Sequence, residues 1–445
     1  NVHHKHQSGL QHMSNLSDLL PAGGGAKVIT ATADGNLATG QTVILQSDGT
    51  VKAVGPVSAS IGTASSFAGT DTDNSGFSVV GDAASGKVVI AYKDSSNSNY
   101  GTAVVATVSD TSISYGAAVV FNSATTGSVD ICYDSSNEKV VVAYENEGTN
   151  SGTARVGTVS GTSISFGSDT TFYSTGNGTD YIGCAFDSNA NKVCVAYSER
   201  NGLTGKASIG TVSGTSITFG SDVTFSSQAT NWVDVVFYAS QNKMLISYQN
   251  AGDSNYGLCI AGAISGTSIS FGSAVALPSS AKTIYGRLAY DSVNEVAVLA
   301  FRNFLVTDYG TAIVVSVSSS SVVTYGTASV FSTDQSNWTN PVYDINTGKI
   351  VIAWNNNLSG SENGKLIIGT VSGTSISFGT ASTFQSGNTV FIGAGYDSVN
   401  KRTVIAYRAP STNYSLALVY RDDSDNSSDF AGITNQAINN SASGE

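Results

Sequence analysis

A short apolar strand ending in an aromatic recurs along the chain at nearly fixed intervals. Its copies are Ala91-Tyr92, Ala143-Tyr144, Ala196-Tyr197, Ser247-Tyr248, Ala300-Phe301, Ala353-Trp354 and Ala406-Tyr407, with successive steps of 52, 53, 51, 53, 53 and 53 residues. Seven copies at one period describe a single supersecondary unit repeated along the chain, not a set of unrelated domains. Ten residues before each aromatic stands Asp82, Asp134, Asp187, Tyr238, Asp291, Asp344 or Asp397. An aspartate there caps the turn between two strands by accepting bonds from the backbone just after it, which accounts for these positions better than a ring of metal ligands does.

A second motif fills the other half of the repeat. The stretch 157–167, Gly-Thr-Val-Ser-Gly-Thr-Ser-Ile-Ser-Phe-Gly, recurs at 210–220, 262–272 and 369–379. A drifted copy occupies 106–116, and another ends at Tyr325-Gly326 with one extra residue. Each reads as a hairpin: an apolar strand, a Ser-Gly turn, then Ser-Ile-Ser-Phe alternating in and out. Every repeat therefore holds four strands. A ends at the aspartate, B ends at the aromatic, and C and D form the hairpin. B strands such as Lys139-Val140-Val141-Val142-Ala143-Tyr144 are apolar on both faces, as a sheet sandwiched between neighbouring sheets requires.

Four antiparallel strands at a period near 50 predict an all-β fold, a seven-bladed β-propeller. There are seven A, B and C strands but only six internal D strands, because Asp422-Asp423-Ser424-Asp425 follows the last C strand. The seventh is found at the other end. Residues 62–67, Gly-Thr-Ala-Ser-Ser-Phe, match 379–384 at five of six positions, so an N-terminal strand is expected to complete the last blade and remove its open edge. The expected divisions are an attachment segment over 1–26, a small β module over 27–56 and the propeller over 57–422. Residues 423–445 read as a C-terminal linker, one that could lead into a further module. Within the small module, Val43-Ile44-Leu45 and Val51-Lys52-Ala53-Val54 flank a Ser47-Asp48-Gly49 turn. Met13 is expected to be the natural start, and Leu16, Leu19 and Leu20 to form one apolar helical turn that docks on a larger assembly.

Charge narrows the partners. Among 445 residues, 12% are charged and the net charge is −12, which argues against nucleic acid or an anionic membrane as partner. The Ser/Thr/Gly-rich, Lys-poor texture suits a protein that works outside cells, and no apolar run approaches a membrane span. No metal or cofactor is expected. All four histidines lie in the first twelve residues, and the four cysteines contain no CxxC pair. Cys184 and Cys194 fall on consecutive strands, where a bridge is conceivable, but free core cysteines are the commoner outcome. Residues 71–76 begin like a calcium loop, yet Asp82 at its twelfth position is already explained as a turn residue.

Topology sorts the loops into two rims. The A–B and C–D turns repeat from copy to copy, whereas the B–C and D–A loops diverge, and the divergent rim is expected to make specific contacts. It carries Tyr181, Trp232, Tyr285 and Trp338 with Asn231 and Asn337 beside the tryptophans, and Tyr100, Tyr256 and Tyr309 where the C strands begin. Aromatic faces stack on the C–H side of a sugar, and amides pair with its hydroxyls, so these nine residues are the expected glycan-binding set. With no histidine after His12, a Ser-His-Asp or Cys-His site in the ring is excluded. The acids Asp94, Glu145, Glu147 and Glu199 lie near this rim but read as solvated loop residues, and the chain is expected not to be an enzyme.

Residues 13–23, Met-Ser-Asn-Leu-Ser-Asp-Leu-Leu-Pro-Ala-Gly, followed by 40–51, Gly-Gln-Thr-Val-Ile-Leu-Gln-Ser-Asp-Gly-Thr-Val, resemble the N-terminal region of virion proteins from marine tailed bacteriophages. The Tyr-Asp-Ser-x-Asn-x-Lys-x-Val-x-Ala-Tyr repeat looks like tail-fibre-like repeats of such phages and of some bacterial surface proteins. The resemblance implies an extracellular virion appendage or decoration protein. Its N-terminal segment would contact other virion subunits while the propeller is displayed for adhesion to a host-surface glycan. The alternative is a bacterial extracellular adhesin or filament subunit.

Overall fold

The computed structural model describes residues 31–33, 42–45, 50–53, 59–69, 75–200, 204–305, 308–358, 361–422, 432–433 and 443–444. Leu16, Leu19, Leu20, the histidines and residues 70–74 lie outside them. The chain divides into two compact units, Ser60–Arg421 and a smaller one formed from Asn1–Ala59 together with Asp422–Glu445.

In the smaller unit, Thr42–Leu45 and Thr50–Ala53 pair antiparallel as the hairpin pattern predicts. They belong to a five-stranded sheet with Ala31–Ala33, Gly432–Ile433 and Ser443–Gly444. The linker expected over 423–445 is corrected by these pairings. Gly432–Ile433 adds to Thr42–Leu45 and Ser443–Gly444 adds to Ala31–Ala33, so both ends of the chain build one sheet.

The larger unit is all-β. Its A strands are Ser75–Asp82, the later half of Val119–Asp134, Thr179–Asp187, Thr230–Tyr238, Thr283–Asp291, the later half of Ser329–Asp344 and Val390–Asp397; the earlier halves of the two long strands pair with the preceding C strand as its outer D run. Each pairs antiparallel with its B strand, and each B with its C, in the order the repeat dictates. The turns between A and B are held as the aspartates require: Asp134 Oδ1 accepts from the Ser136 and Asn137 amides, both at 3.0 Å, and Asp397 Oδ1 from Val399 and Asn400 at 3.1 and 3.0 Å.

B strands bury both faces, which is why they lack polar alternation. Val193, Val195 and Tyr197 pack with Val141 and Ala143 of the preceding repeat, while Cys194 and Ala196 pack with Met244 and Ile246 of the following one. Cys184 and Cys194 therefore cannot bridge. The register sets Cys194 opposite Ala185, one residue out of phase, and the two side chains enter different core layers. Cys184 instead meets Cys132 of the preceding repeat, with sulfurs 2.9 Å apart.

The D strand differs from the single hairpin arm expected. It is broken into two short runs, such as Ser163–Phe166 and Thr170–Tyr173, both paired to the same C strand. The break falls at Gly167, where a Cβ would lie 1.8 Å from the Thr215 carbonyl of the next repeat's C–D turn. The neighbouring turn occupies that space, so the strand steps around it. The last C strand, Tyr414–Arg421, receives its outer partners from the N-terminal side, Ser60–Ile61 and Ser65–Ala68, in antiparallel register.

Candidate functional site

Near the start of each A strand the ladder is interrupted by a bulge. In repeat 3, Tyr181 and Ile182 together oppose Tyr197, and the same shift recurs at Trp232, Tyr285, Trp338 and Phe391. All five aromatics take left-handed backbone, with φ of 50, 51, 57, 47 and 54°. For a bulky L-residue this conformation costs about 1 kcal/mol or more, and it turns the side chain out of the strand's alternation. The result is a continuous arc: Tyr181–Trp232 ring centroids lie 4.8 Å apart, Trp232–Tyr285 4.5 Å, Tyr285–Trp338 5.4 Å and Trp338–Phe391 5.4 Å. All five are half-buried. Burial also pushes the Tyr181 and Tyr285 hydroxyls above their usual range, so both stay protonated at neutral pH.

Of the residues expected from sequence, Tyr181, Trp232, Tyr285 and Trp338 are thus brought together, on bulges within strands and not in loops. Phe391 was missed, although a 53-residue step from Trp338 lands on it. Asn231 and Asn337 point elsewhere. Asn231 Nδ2 donates to Gln249 Oε1 at 3.1 Å, and buried Asn337 donates to Asn355 Oδ1 at 3.3 Å while accepting from Arg302 at 2.7 Å. Tyr100, Tyr256 and Tyr309 open C strands, two strands out from the arc, and have no ring contact with it among the described residues.

The two remaining repeats carry Gly76 and Ser128 at the arc's position. Past the arc lies a cavity of about 180 Å³ to which all seven A strands contribute. Its polar lining is Ser78, Asp130, Asp234, Arg287 and Asn340. Asp234 accepts from Arg287 Nη1 at 2.9 Å and from the Leu288 amide at 2.7 Å, and Asp130 accepts from Ser78 Oγ at 2.5 Å and the Cys184 amide at 2.6 Å. Burial pushes Asp130 up to about 6, with Arg287 pulling it only partly back, and raises Asp234 as well. Burial works against the Arg287 charge, but the two carboxylates outweigh it.

Of the four rim acids flagged from sequence, Asp94, Glu145 and Glu199 are engaged rather than solvated. Glu145 is fully buried against Arg200, which also bonds Asp180 at 3.1 Å, and burial pushes Glu145 up to about 7. Glu199 accepts from Asn177 and Thr204, both at 2.9 Å, and Asp94 accepts from the Ser96 amide at 3.1 Å.

No protein-family model and no curated protein matches the chain. Solved structures similar to it share a propeller-like all-β fold. One is a protein from Lactobacillus plantarum, 11% identical over 80% of this chain and 98% of that one, with TM-score 0.50. Another is BBS1N in complex with ARL6DN, 7% identical over 81% and 96%, with TM-score 0.50. A third is the leech intramolecular trans-sialidase, 9% identical over 88% and 98%, with TM-score 0.48. The expectation that this chain is not an enzyme is corrected here. Structures similar to it include intramolecular trans-sialidases and an exo-beta-1,3-galactanase.

Proposed function

We propose that the chain is a carbohydrate-binding, closed seven-bladed β-propeller carried on a phage virion as an appendage or decoration. It meets host-surface glycan through the aromatic arc and other virion subunits through its N-terminal segment. The observation that carries glycan binding is the arc itself. Five consecutive repeats hold a bulky aromatic in a strained left-handed conformation at one register position, and the fold alone does not need that. Half-buried rings backed by neutral tyrosine hydroxyls suit the alternating C–H faces and hydroxyls of a sugar. Ring closure is supported by contacts that repeat across the N-terminal junction. Gly62 lies against the Thr111 carbonyl as Gly116 lies against Thr162, and the Phe67 ring packs at a steep angle 5.3 Å from Tyr92 as Phe384 does from Tyr407. The virion role rests on the resemblance of residues 13–51 and of the repeats to marine phage proteins.

The test is binding to a glycan array and to purified host envelope polysaccharide, with release of reducing ends measured in the same samples. Trp232→Ala and Trp338→Ala are each expected to weaken binding about tenfold or more. Full binding by both variants would remove the arc as the site.

A further inference from the structure

The arc spans five repeats and stops, and the polar groups past it are unevenly distributed. Gly76 lines the cavity, whereas none of the five aromatics does. A Cβ at Gly76 would have no atom nearer than the Val129 amide at 3.9 Å. Two residues on from Gly76 and from Ser128 come Ser78 and Asp130, hydrogen-bonded to each other, so the gap in the arc and the Asp130 carboxylate belong to the same pair of repeats. Charge in the cavity does not balance. Arg287 is paired to Asp234, and the groups bonded to Asp130, the Ser78 hydroxyl and the Cys184 amide, are both neutral. One carboxylate is therefore in excess. Two of the carboxylate's lone-pair positions are taken, which leaves acceptor capacity for an incoming donor. The cavity holds about 180 Å³, room for roughly six waters, so it takes one small polar group and not a length of chain.

We infer that the Gly76–Ser128 gap admits a primary ammonium group, borne on an amino sugar, which pairs with Asp130 while the sugar ring rests on the aromatic arc. Two carboxylates share one arginine, which favours a cation over an anion, and a carboxylate whose hydrogen-bonded partners are both neutral selects an ammonium over a hydroxyl. This deepens the glycan-binding proposal and rests on it.

The experiment measures calorimetric binding of a glucosamine tetrasaccharide and its fully N-acetylated counterpart at about pH 6.5. At that pH Asp130 is largely ionised and an amine of ordinary pKa (about 7.7) is protonated. The aminated sugar is expected to bind at least tenfold tighter. Asp130→Asn keeps the shape and can still bond Ser78 and Cys184, and it should erase that preference while leaving the acetylated sugar's affinity within about twofold. Gly76→Trp would place a sixth aromatic at a φ of +67°, close to that of the other five, and should cut binding of the aminated sugar at least tenfold. Equal affinity for the two sugars, or a preference that survives Asp130→Asn, overturns the inference. In that case the glycan proposal still stands if Trp232→Ala weakens both. Absence of binding by either sugar to any variant, together with a negative array, overturns both.

Discussion

Asp130 and Glu145 are carboxyls that burial holds partly protonated near neutrality, the first at about 6 and the second at about 7. Their unfolded values are near 4, so both folded values are raised. Such groups contribute stability that is complete below about pH 4 and is lost as pH rises through 6 and then 7, because ionising them inside the fold costs more than ionising them in the open chain. The unfolding free energy, and with it the urea midpoint, is therefore expected to fall between pH 5 and pH 8, the free energy by on the order of 1–3 kcal/mol in total. Glu145→Gln should flatten the upper part of that decline whatever it does to absolute stability. A midpoint that climbs across this interval would mean that Arg200 outweighs the burial of Glu145.

At the scale of the strand, the bulge is the device that converts a repeat into a site. In the five repeats of the arc the B-strand aromatic sits opposite two residues instead of one, and the first of the two is the one turned out at positive φ. This has a measurable signature at Phe391, whose φ is 54°. Elsewhere in a strand alanine is the better residue, but here Phe391→Gly should be more stable than Phe391→Ala by about 1 kcal/mol in urea denaturation. Alanine proving the more stable of the two would show that the backbone is not left-handed. The turn aspartates could be read from sequence because their partners are two and three residues away. The fate of Asn231 and Asn337 could not, since each amide is claimed by a B-strand residue 18 positions on, through a register that only the folded sheet defines. Phe391 was legible in the period but hidden by composition, because it is a phenylalanine beside Val390 with no amide next to it, unlike Trp232 and Trp338. The kink in the D strand was invisible for a third reason: the next repeat's turn imposes it, and no residue of the strand announces it.

At the scale of the molecule, the period and the strand count anticipated the all-β repeat and the N-terminal strands on the last sheet, while the return of the C-terminal segment to the small sheet left no trace in the pattern. The proposed ring closure requires that the first and last repeats form a junction like the others. Phe67 is the residue that decides it. It reaches from the completing strand to Phe77, Tyr92 and Tyr115 of the first repeat, with centroids 5.7, 5.3 and 5.7 Å away, and Tyr115 Oη donates to the Ser65 carbonyl at 3.0 Å. Phe384 occupies the equivalent place at an internal junction, against Tyr407. If the ring is closed, Phe67→Ala and Phe384→Ala each remove a ring from between two sheets and should each cost about 2–4 kcal/mol within a single cooperative transition. If the ring is open, Phe67 lies on a free edge that frays at little cost, and its truncation should shift the main transition by under about 0.5 kcal/mol. Chemical denaturation of the two variants beside the parent separates these cases. A Phe67→Ala midpoint indistinguishable from the parent's, with Phe384→Ala clearly lowered, would break the ring at its seam.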